Sequence, residues 1–381
     1  MTVLDTRALN RATLARQLLL DRSGRPVLDA ITHLGGLQAQ EPQEPFTGLW
    51  SRLRAFEPAA LDRLLTGREV VRTHLMRRTV HLVAAGDALA WRSRHDAMLV
   101  QRVLGTYRAE LAGVDFAELA AAGREVLADG EPRTMGELAR ALAGRWPGPG
   151  PRPLGELLVA ALIPVVQVPP RGLWRAKAGA RYAPMPDWLG GGITPGPGPG
   201  PAGNPGPARE TGPATGADPA GEAMARRYLA AYGPAATADL RAWSGLAGLP
   251  AAVAALRPEL VSFRDGQGRE LLDLPDAPRP DAGTPAPVRF LPAFDNAVLG
   301  YADRSRIIDD DHRGLSVTGA RMVLLDGRVS ATWTAGPGTV TVQPLRELSR
   351  AGRDAVAEEG EQLAAFLSGS DSGTVRFTPV R

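Results

Sequence analysis

The feature that most constrains the fold is an order of predicted elements that occurs three times along the 381-residue chain. Each time, helical segments with an apolar face are followed by two short segments of strand character. In the first unit, helical patterns at 6–20, 26–34 and 58–65 precede candidate strands at 69–75 and 79–83. Helices followed by a β-hairpin make up a winged helix, so we predict an α+β chain of tandem winged-helix units.

The second unit has the same order of predicted elements. An amphipathic helix is predicted at 116–127, Thr134 and Glu137 form a capping box for the next helix, and a third helix follows at 154–162. A short strand comes next, and we expect its wing at 174–177.

The third unit has the clearest hairpin pattern. Its predicted helices cover residues 224–232, 239–244 and 251–256. Predicted strands at 260–263 and 270–274 flank the sequence Arg-Asp-Gly-Gln-Gly-Arg, which is typical of a hairpin connection.

Strand patterns dominate from residue 288 onward and predict a β-rich, barrel-like domain or sheet with one helix. The segment 190–221 repeats Pro-Gly and cannot pack a core, so we expect a flexible loop there. The predicted division of the chain is 1–110, 111–189, the loop 190–221, 222–280 and 281–381.

Composition excludes several kinds of chemistry. The chain has no cysteine, which excludes disulfides, thiol nucleophiles and cysteine-ligated zinc. Its only lysine, Lys177, is a poor candidate for a Schiff-base nucleophile in an arginine-rich turn. The net charge of +3 permits nucleic-acid binding if the arginines cluster. Without a signal peptide or a membrane-length apolar run, we expect a cytoplasmic protein.

A pair of glutamines is the leading candidate for a functional site. The stretch 34–46 has the sequence Leu-Gly-Gly-Leu-Gln-Ala-Gln-Glu-Pro-Gln-Glu-Pro-Phe, and its prolines predict an extended or turning chain. Alternate side chains of an extended segment share a side, so Gln38 and Gln40 project together, opposite Leu37 and Ala39. Two carboxamides can hold a water or a polar ligand, but they cannot act as a strong base.

Three sequence blocks resemble the winged-helix DNA glycosylases of the AlkZ and YcaQ type. They are the Gln-x-Gln stretch with Leu-Trp-Ser-Arg at 49–52, the segment 71–83, and the segment 290–306 with Phe-Leu-Pro-Ala-Phe-Asp-Asn and Gly-Tyr-Ala-Asp-Arg-Ser-Arg. The order and spacing of these blocks agree along nearly the whole chain. Gln40 resembles the AlkZ-like branch, because the YcaQ-like branch has aspartate there.

The resemblance implies a monofunctional DNA glycosylase for bulky alkylated purines of the N7-alkylguanine type. It also implies unhooking of interstrand crosslinks, such as those of azinomycin-like agents, in DNA repair or self-resistance. Gln38 and Gln40 would be catalytic, with one accepting a hydrogen bond from the attacking water and the other orienting that water or stabilising the sugar. We expect a monomer that holds duplex DNA in a basic channel between its tandem units and needs neither cofactor nor metal.

The expected DNA contacts lie partly in the first two blocks. Arg77 and Arg78, with Thr79 after them, lie at a hairpin tip where a wing would meet phosphate, although a solvated tip explains them as well. Trp50 could stack on a flipped base, but core packing is the favoured role. His81 is interpreted as a hydrogen-bonded core histidine or a DNA-facing one.

The remaining predicted DNA contacts are charged or polar side chains in apolar surroundings. They are Arg52, Asp295, Asn296, Arg304 and Arg306. The resemblance suggests that the last four line the DNA channel. A structural turn held by aspartate hydrogen bonds explains the same block equally well.

Two alternatives belong to other classes of protein. A non-catalytic winged-helix regulator would use its recognition helix, but the helix at 251–256 offers only alanine, leucine and valine for base readout. A protein that sequesters an alkylating drug would bind the free drug without DNA.

Overall fold

The computed structural model describes residues 2–196, 218–247 and 249–380. These residues form an α+β fold with three β-sheets, which confirms the predicted fold class. Within the described ranges, no helix is long and apolar enough to cross a membrane.

The N-terminal part alternates short helices with strands. Its elements are β1 (Val3–Leu4), α1 (Thr6–Arg16), α2 (Val27–His33), β2 (Leu37–Gln38), α3 (Glu44–Trp50), α4 (Pro58–Thr66), β3 (Val70–His74) and β4 (Val80–Ala84). The carboxylate of Asp5 caps α1 by accepting a hydrogen bond from the Ala8 N–H, with Oδ1 and N 2.7 Å apart. α1 ends before the predicted residue 20, because Leu18 adopts a left-handed φ of 57°.

The stretch 34–46 is extended only in its first half. Helix α3 begins at Glu44, so the prediction of a non-helical chain is wrong at its end. Pro45 occupies the first turn of α3, where a residue needs no intrahelical N–H partner. The second proline therefore starts a helix and does not prevent one.

The middle part is mostly helical, with two strands before its last short helix. Its elements are α5 (Ala85–Tyr107), α6 (Phe116–Leu127), α7 (Met135–Leu142), α8 (Pro151–Leu157), β5 (Val165–Gln167), β6 (Tyr182–Pro184) and α9 (Met185–Leu189). The predicted capping box at the start of α7 is confirmed, because Thr134 and Glu137 exchange both of their side-chain-to-backbone hydrogen bonds.

The first sheet has the strand order β2-β4-β3-β5-β6. The predicted hairpin of β3 and β4 is confirmed, with Val70 opposite Ala84 and His74 opposite Val80. β5 joins β3 through a single pair of residues, Arg72 and Gln167. The ranges 1–110 and 111–189 thus contribute strands to one sheet, and the boundary between them stays a prediction.

The predicted second wing at 174–177 lies in the connection between β5 and β6, and its role as a wing stays a prediction. The antiparallel partner of β5 is β6, and residues 174–177 form no strand. The ring of Trp174 lies 4.8 Å from that of Phe46 and 5.2 Å from that of Phe366. This aromatic packing draws the segment onto the N-terminal and C-terminal parts of the chain.

The third predicted unit is close to expectation. Its elements are α10 (Pro219–Tyr232), α11 (Thr237–Ser244), α12 (Leu249–Leu256), β7 (Val261–Asp265) and β8 (Glu270–Asp273). The predicted β7–β8 hairpin is confirmed, with Val261 opposite Asp273 and Arg264 opposite Glu270. β1 pairs in parallel with β7, so the N-terminus of the chain completes this second sheet.

The C-terminal part is an open sheet covered by one helix. Its elements are β9 (Arg289–Leu291), α13 (Asn296–Leu299), β10 (Arg321–Leu325), β11 (Arg328–Gly336), β12 (Thr339–Pro344), α14 (Arg350–Ser368) and β13 (Thr374–Phe377). The strand order is β13-β12-β11-β10-β9, so β13 and β9 are edges in the described residues. A sheet with one helix is therefore the better of the two predicted forms. The predicted loop 190–221 lies largely outside the described residues.

Candidate active site

The first hairpin turns its tip toward the interior of the protein. Met76–Arg78 form one short helical turn between β3 and β4. Arg77 and Arg78 have φ angles of 58° and 65°, a left-handed conformation that is uncommon for side chains other than glycine. The tip packs on α11 and its end, since the backbone of Arg77 lies within 3.3 Å of a Cβ built on Gly245. The predicted basic wing tip is therefore not a free surface loop.

Arg77 connects the three parts of the chain that form the site. Its Nη2 donates to Gln38 Oε1 at 2.9 Å and to Asn296 Oδ1 at 3.0 Å. Its Nη1 donates to the Trp243 carbonyl at 2.6 Å. All three acceptors are uncharged. Desolvation by burial lowers the pKa of Arg77 to about 10, so the guanidinium remains charged at neutral pH.

Gln38 is held in place by the sheet on which it lies. β2 pairs with β4, and Gln38 is opposite His81. Gly36, just before β2, has a φ of 91°, and a Cβ there would lie 2.5 Å from a methyl carbon of Val83. Glycine thus permits the close approach of β2 to β4. The Gln38 side chain is 8% exposed and faces Arg77.

Gln40 has a more open position. The residue is exposed, and its Oε1 accepts a hydrogen bond from the Val80 N–H at 3.2 Å. Between the two glutamines, the carbonyl of Ala39 accepts from Nη2 of the buried Arg72 at 2.9 Å. The Gln-x-Gln segment is thus tied to the first hairpin at each of its three residues.

Asn296 is placed by a buried ion pair. Arg52 donates two parallel hydrogen bonds to Asp295, at 2.9 Å and 2.7 Å, and both side chains are buried. Asp295 also caps α13 by accepting from the Ala297 N–H at 2.7 Å. This geometry pairs Arg52 and Asp295 with each other, and the pair fastens α13, and with it Asn296, to the turn after α3. A contact of either residue with DNA stays a prediction.

Four other predicted DNA contacts are engaged within the protein. Trp50 stacks on Phe366, His81 is fully buried with Nδ1 3.0 Å from the Thr79 carbonyl, and Arg306 is buried with Nη1 donating to the Pro234 carbonyl. Arg78 pairs with Glu156 at 3.2 Å. The core interpretation of Trp50 and His81 therefore describes their positions. The side chain of Arg78 is 26% exposed, and its contact with phosphate stays a prediction, as does that of Arg306.

Thr79 and Arg304 are also partly exposed. Thr79 lies at the end of the inward tip, and its hydroxyl donates to the Met76 carbonyl at 3.1 Å. Arg304 has its Nη1 on the Ser316 hydroxyl, and its buried Nε has no partner among the described residues. Burial and the nearby charge of Arg313 lower the pKa of Arg304.

Sequence reasoning missed three residues of this site. The Trp243 carbonyl accepts a hydrogen bond from Arg77, and Arg72 donates one to the backbone of the Gln-x-Gln segment. The carboxylate of Glu44 accepts hydrogen bonds from the Arg321 side chain and from the Ala293 N–H. A backbone carbonyl leaves no side-chain signal in a sequence. Arg72 and Glu44 looked like ordinary charged residues, and only their burial shows otherwise.

In the part of the chain that the structure describes, no carboxylate or imidazole forms a hydrogen bond with either glutamine side chain. The described hydrogen-bond partners of both glutamine side chains are a guanidinium and a backbone amide. Burial, followed by the charge of Arg77, lowers the pKa of His81 well below its ordinary value and keeps this imidazole neutral. Two carboxamides in this arrangement can orient a water or a polar ligand.

Comparison with known proteins gives a consistent result. No curated protein matches the sequence significantly. Among solved structures, the Streptomyces sahachiroi DNA glycosylase AlkZ is similar with a TM-score of 0.77, covering 99% of this chain and 100% of that one. Its sequence is 21% identical, so this likeness concerns the fold. The family described as DNA glycosylase AlkZ-like matches residues 31–366, which include both glutamines. The chain therefore belongs to the AlkZ-like DNA glycosylase family.

Proposed function

We propose that this protein is a monofunctional DNA glycosylase that excises bulky alkylated purines of the N7-alkylguanine type. The proposed role includes repair of alkylation damage and the unhooking of interstrand crosslinks that join such purines, as in self-resistance to a crosslinking agent. The substrate would be duplex DNA, bound by a monomer in a channel between tandem winged-helix units.

The observation that carries the proposal is the neutral glutamine pair within the matched family region. N7 alkylation makes a purine cationic, and a cationic base leaves without protonation by an acid. A water oxygen attacks C1′, the C1′–N9 bond breaks, and its electron pair neutralises the departing base. The water loses a proton to solvent. The protein then needs only to hold the water and the oxocarbenium-like sugar, a task that uncharged amides can perform.

The test is base release from a duplex that carries a single bulky N7-alkylguanine. The wild-type protein is compared with a Gln38→Ala/Gln40→Ala double variant under single-turnover conditions. We expect release by the wild type and a loss of about 100-fold or more in the variant, in the range known for positioned catalytic groups. Affinity for the adduct duplex is measured in parallel and should change little.

Two outcomes would contradict the proposal. Tight binding without release, on a small and on a bulky N7 adduct, would favour a non-catalytic DNA-binding regulator. Equal losses of binding and release in the double variant would make the glutamines part of the DNA-binding surface only.

A further inference from the structure

We propose that Arg77 is a positioning residue that gives the two glutamines different tasks. Gln38 is a fixed hydrogen-bond donor to the lesion nucleotide, whereas Gln40 supplies the acceptor for the attacking water. The inference rests on the proposed glycosylase function and assigns roles within the same site.

The chemistry of its partner fixes the orientation of the Gln38 amide. A guanidinium has five N–H donors and no acceptor. The amide atom 2.9 Å from Arg77 Nη2 must therefore be the oxygen, because the NH2 group would place donor against donor. The same reasoning fixes Asn296, whose Oδ1 lies 3.0 Å from that nitrogen. The Gln38 NH2 group consequently points away from Arg77.

The Gln38 NH2 group is available to a ligand. Among the described residues it has no hydrogen-bond acceptor, and it is not sealed from solvent, unlike the buried and unpaired Nδ2 of Asn296. The guanidinium on Oε1 withdraws electron density, which strengthens the N–H donors and weakens the remaining lone pair. Gln38 is thus suited to bind an oxygen acceptor of the lesion nucleotide and poorly suited to draw a proton from water.

Gln40 is held by a weaker donor. Its Oε1 faces the uncharged Val80 N–H at 3.2 Å, near the upper limit for an N–H···O hydrogen bond. A carbonyl oxygen has a second lone pair, and on Gln40 that lone pair is not opposed by a cation. Since the residue is exposed, a water can reach it. Gln40 is therefore the acceptor of the pair.

Arg77 adopts a backbone conformation that is energetically unfavourable, which indicates that the position of its guanidinium has a functional role. A φ of 58° at a non-glycine residue costs on the order of 1 kcal/mol, and such strain is concentrated at functional sites. The guanidinium has only uncharged partners in the described structure.

A double-mutant cycle between Arg77→Gly and Gln38→Ala tests the inference. Glycine accepts the left-handed φ, so this change removes the guanidinium without adding strain. We expect Arg77→Gly to lower the single-turnover rate at saturating enzyme by about 10-fold, which corresponds to about 1.4 kcal/mol. In the Gln38→Ala background, the same change should have an effect of less than about 3-fold, because Arg77 acts through Gln38. In the Gln40→Ala background, its full effect should remain.

An adduct on adenine, which has no ring carbonyl, distinguishes two oxygen acceptors. Equal losses on guanine and adenine adducts would assign the acceptor to the sugar–phosphate backbone, and a loss on guanine alone would assign it to the base carbonyl. Additive effects in the cycle, or a loss of affinity equal to the loss of rate, would overturn the inference.

A second measurement does not depend on activity. The ¹⁵N side-chain amide signal of Gln38 is identified by its absence from the Gln38→Ala variant. It should shift in Arg77→Gly and stay unchanged in Arg68→Gly. Arg68, near the start of β3, also has a left-handed φ, and Trp188 is the partner of its side chain in the described structure. If the wild type releases no base, the proposed function fails, but this spectrum still decides the placement of the amide. An unmoved Gln38 signal in Arg77→Gly would refute the inference.

Discussion

At the scale of single residues, the pairing of Arg52 with Asp295 shows how the site is held. Both side chains are buried, and the two hydrogen bonds between them join the turn after α3 to the start of α13. A buried ion pair is not in itself a large source of stability, because both charges lose their hydration. Removing one partner is costly, however, since the other charge is left buried and alone.

We therefore expect Asp295→Asn to lower the free energy of unfolding by about 3 kcal/mol or more. The change leaves the buried charge of Arg52 without a carboxylate and weakens the cap of α13. Base release should therefore also fall, because Asn296 is no longer held in position. Urea denaturation measures the first effect. Glu118→Gln is the matched control, because Glu118 forms an exposed pair with Arg145 and should change stability by less than about 1 kcal/mol. Similar losses in both variants would contradict the argument.

At the scale of elements, those helices and hairpins that depend on residues close together in the sequence could be predicted. The hairpins of β3–β4 and β7–β8 follow from strand patterns and turn residues, and the α7 capping box follows from Thr134 and Glu137. The inward tip could not be predicted, because Arg77 meets acceptors that are 166 and 219 residues away in the chain. The same limit applies to residues 174–177, whose aromatic partners come from α3 and α14.

The capping box gives a prediction for an element remote from the site. Thr134→Ala removes the side chain that accepts from the Glu137 N–H at 3.1 Å, and it should cost about 1 kcal/mol of stability. Base release at 25 °C should not change, since none of the described hydrogen bonds of the site involves α7. A thermal unfolding curve and a release assay on the same sample check both parts. A loss of activity without a loss of stability would show an unexpected link between α7 and the site.

At the scale of the whole molecule, distant segments meet through buried polar contacts as well as apolar ones. Arg16 of α1 forms an ion pair with Asp273 of β8, and both side chains are fully buried. Glu44 of α3 binds Arg321 of β10. These contacts tie the N-terminal helices to the second and third sheets. We therefore expect that protonation of a buried side chain lowers the free energy of unfolding of the whole fold.

Two buried histidines make this coupling measurable. His81 and His95 are fully buried, and desolvation lowers the pKa of His95 to about 4 and that of His81 well below its ordinary value. Below pH 6.5 these histidines become protonated in the unfolded chain but stay neutral in the folded one. The free energy of unfolding therefore falls as the pH falls from 6.5 toward the lower pKa of the folded state. Each histidine should lower the free energy of unfolding at pH 5.5 by about 1.4 kcal/mol relative to its value at pH 7.5. Urea denaturation of the wild type and of His95→Gln at both pH values checks this, because the variant should lose less stability between them. Identical losses in the two proteins would show that His95 does not remain neutral inside the fold.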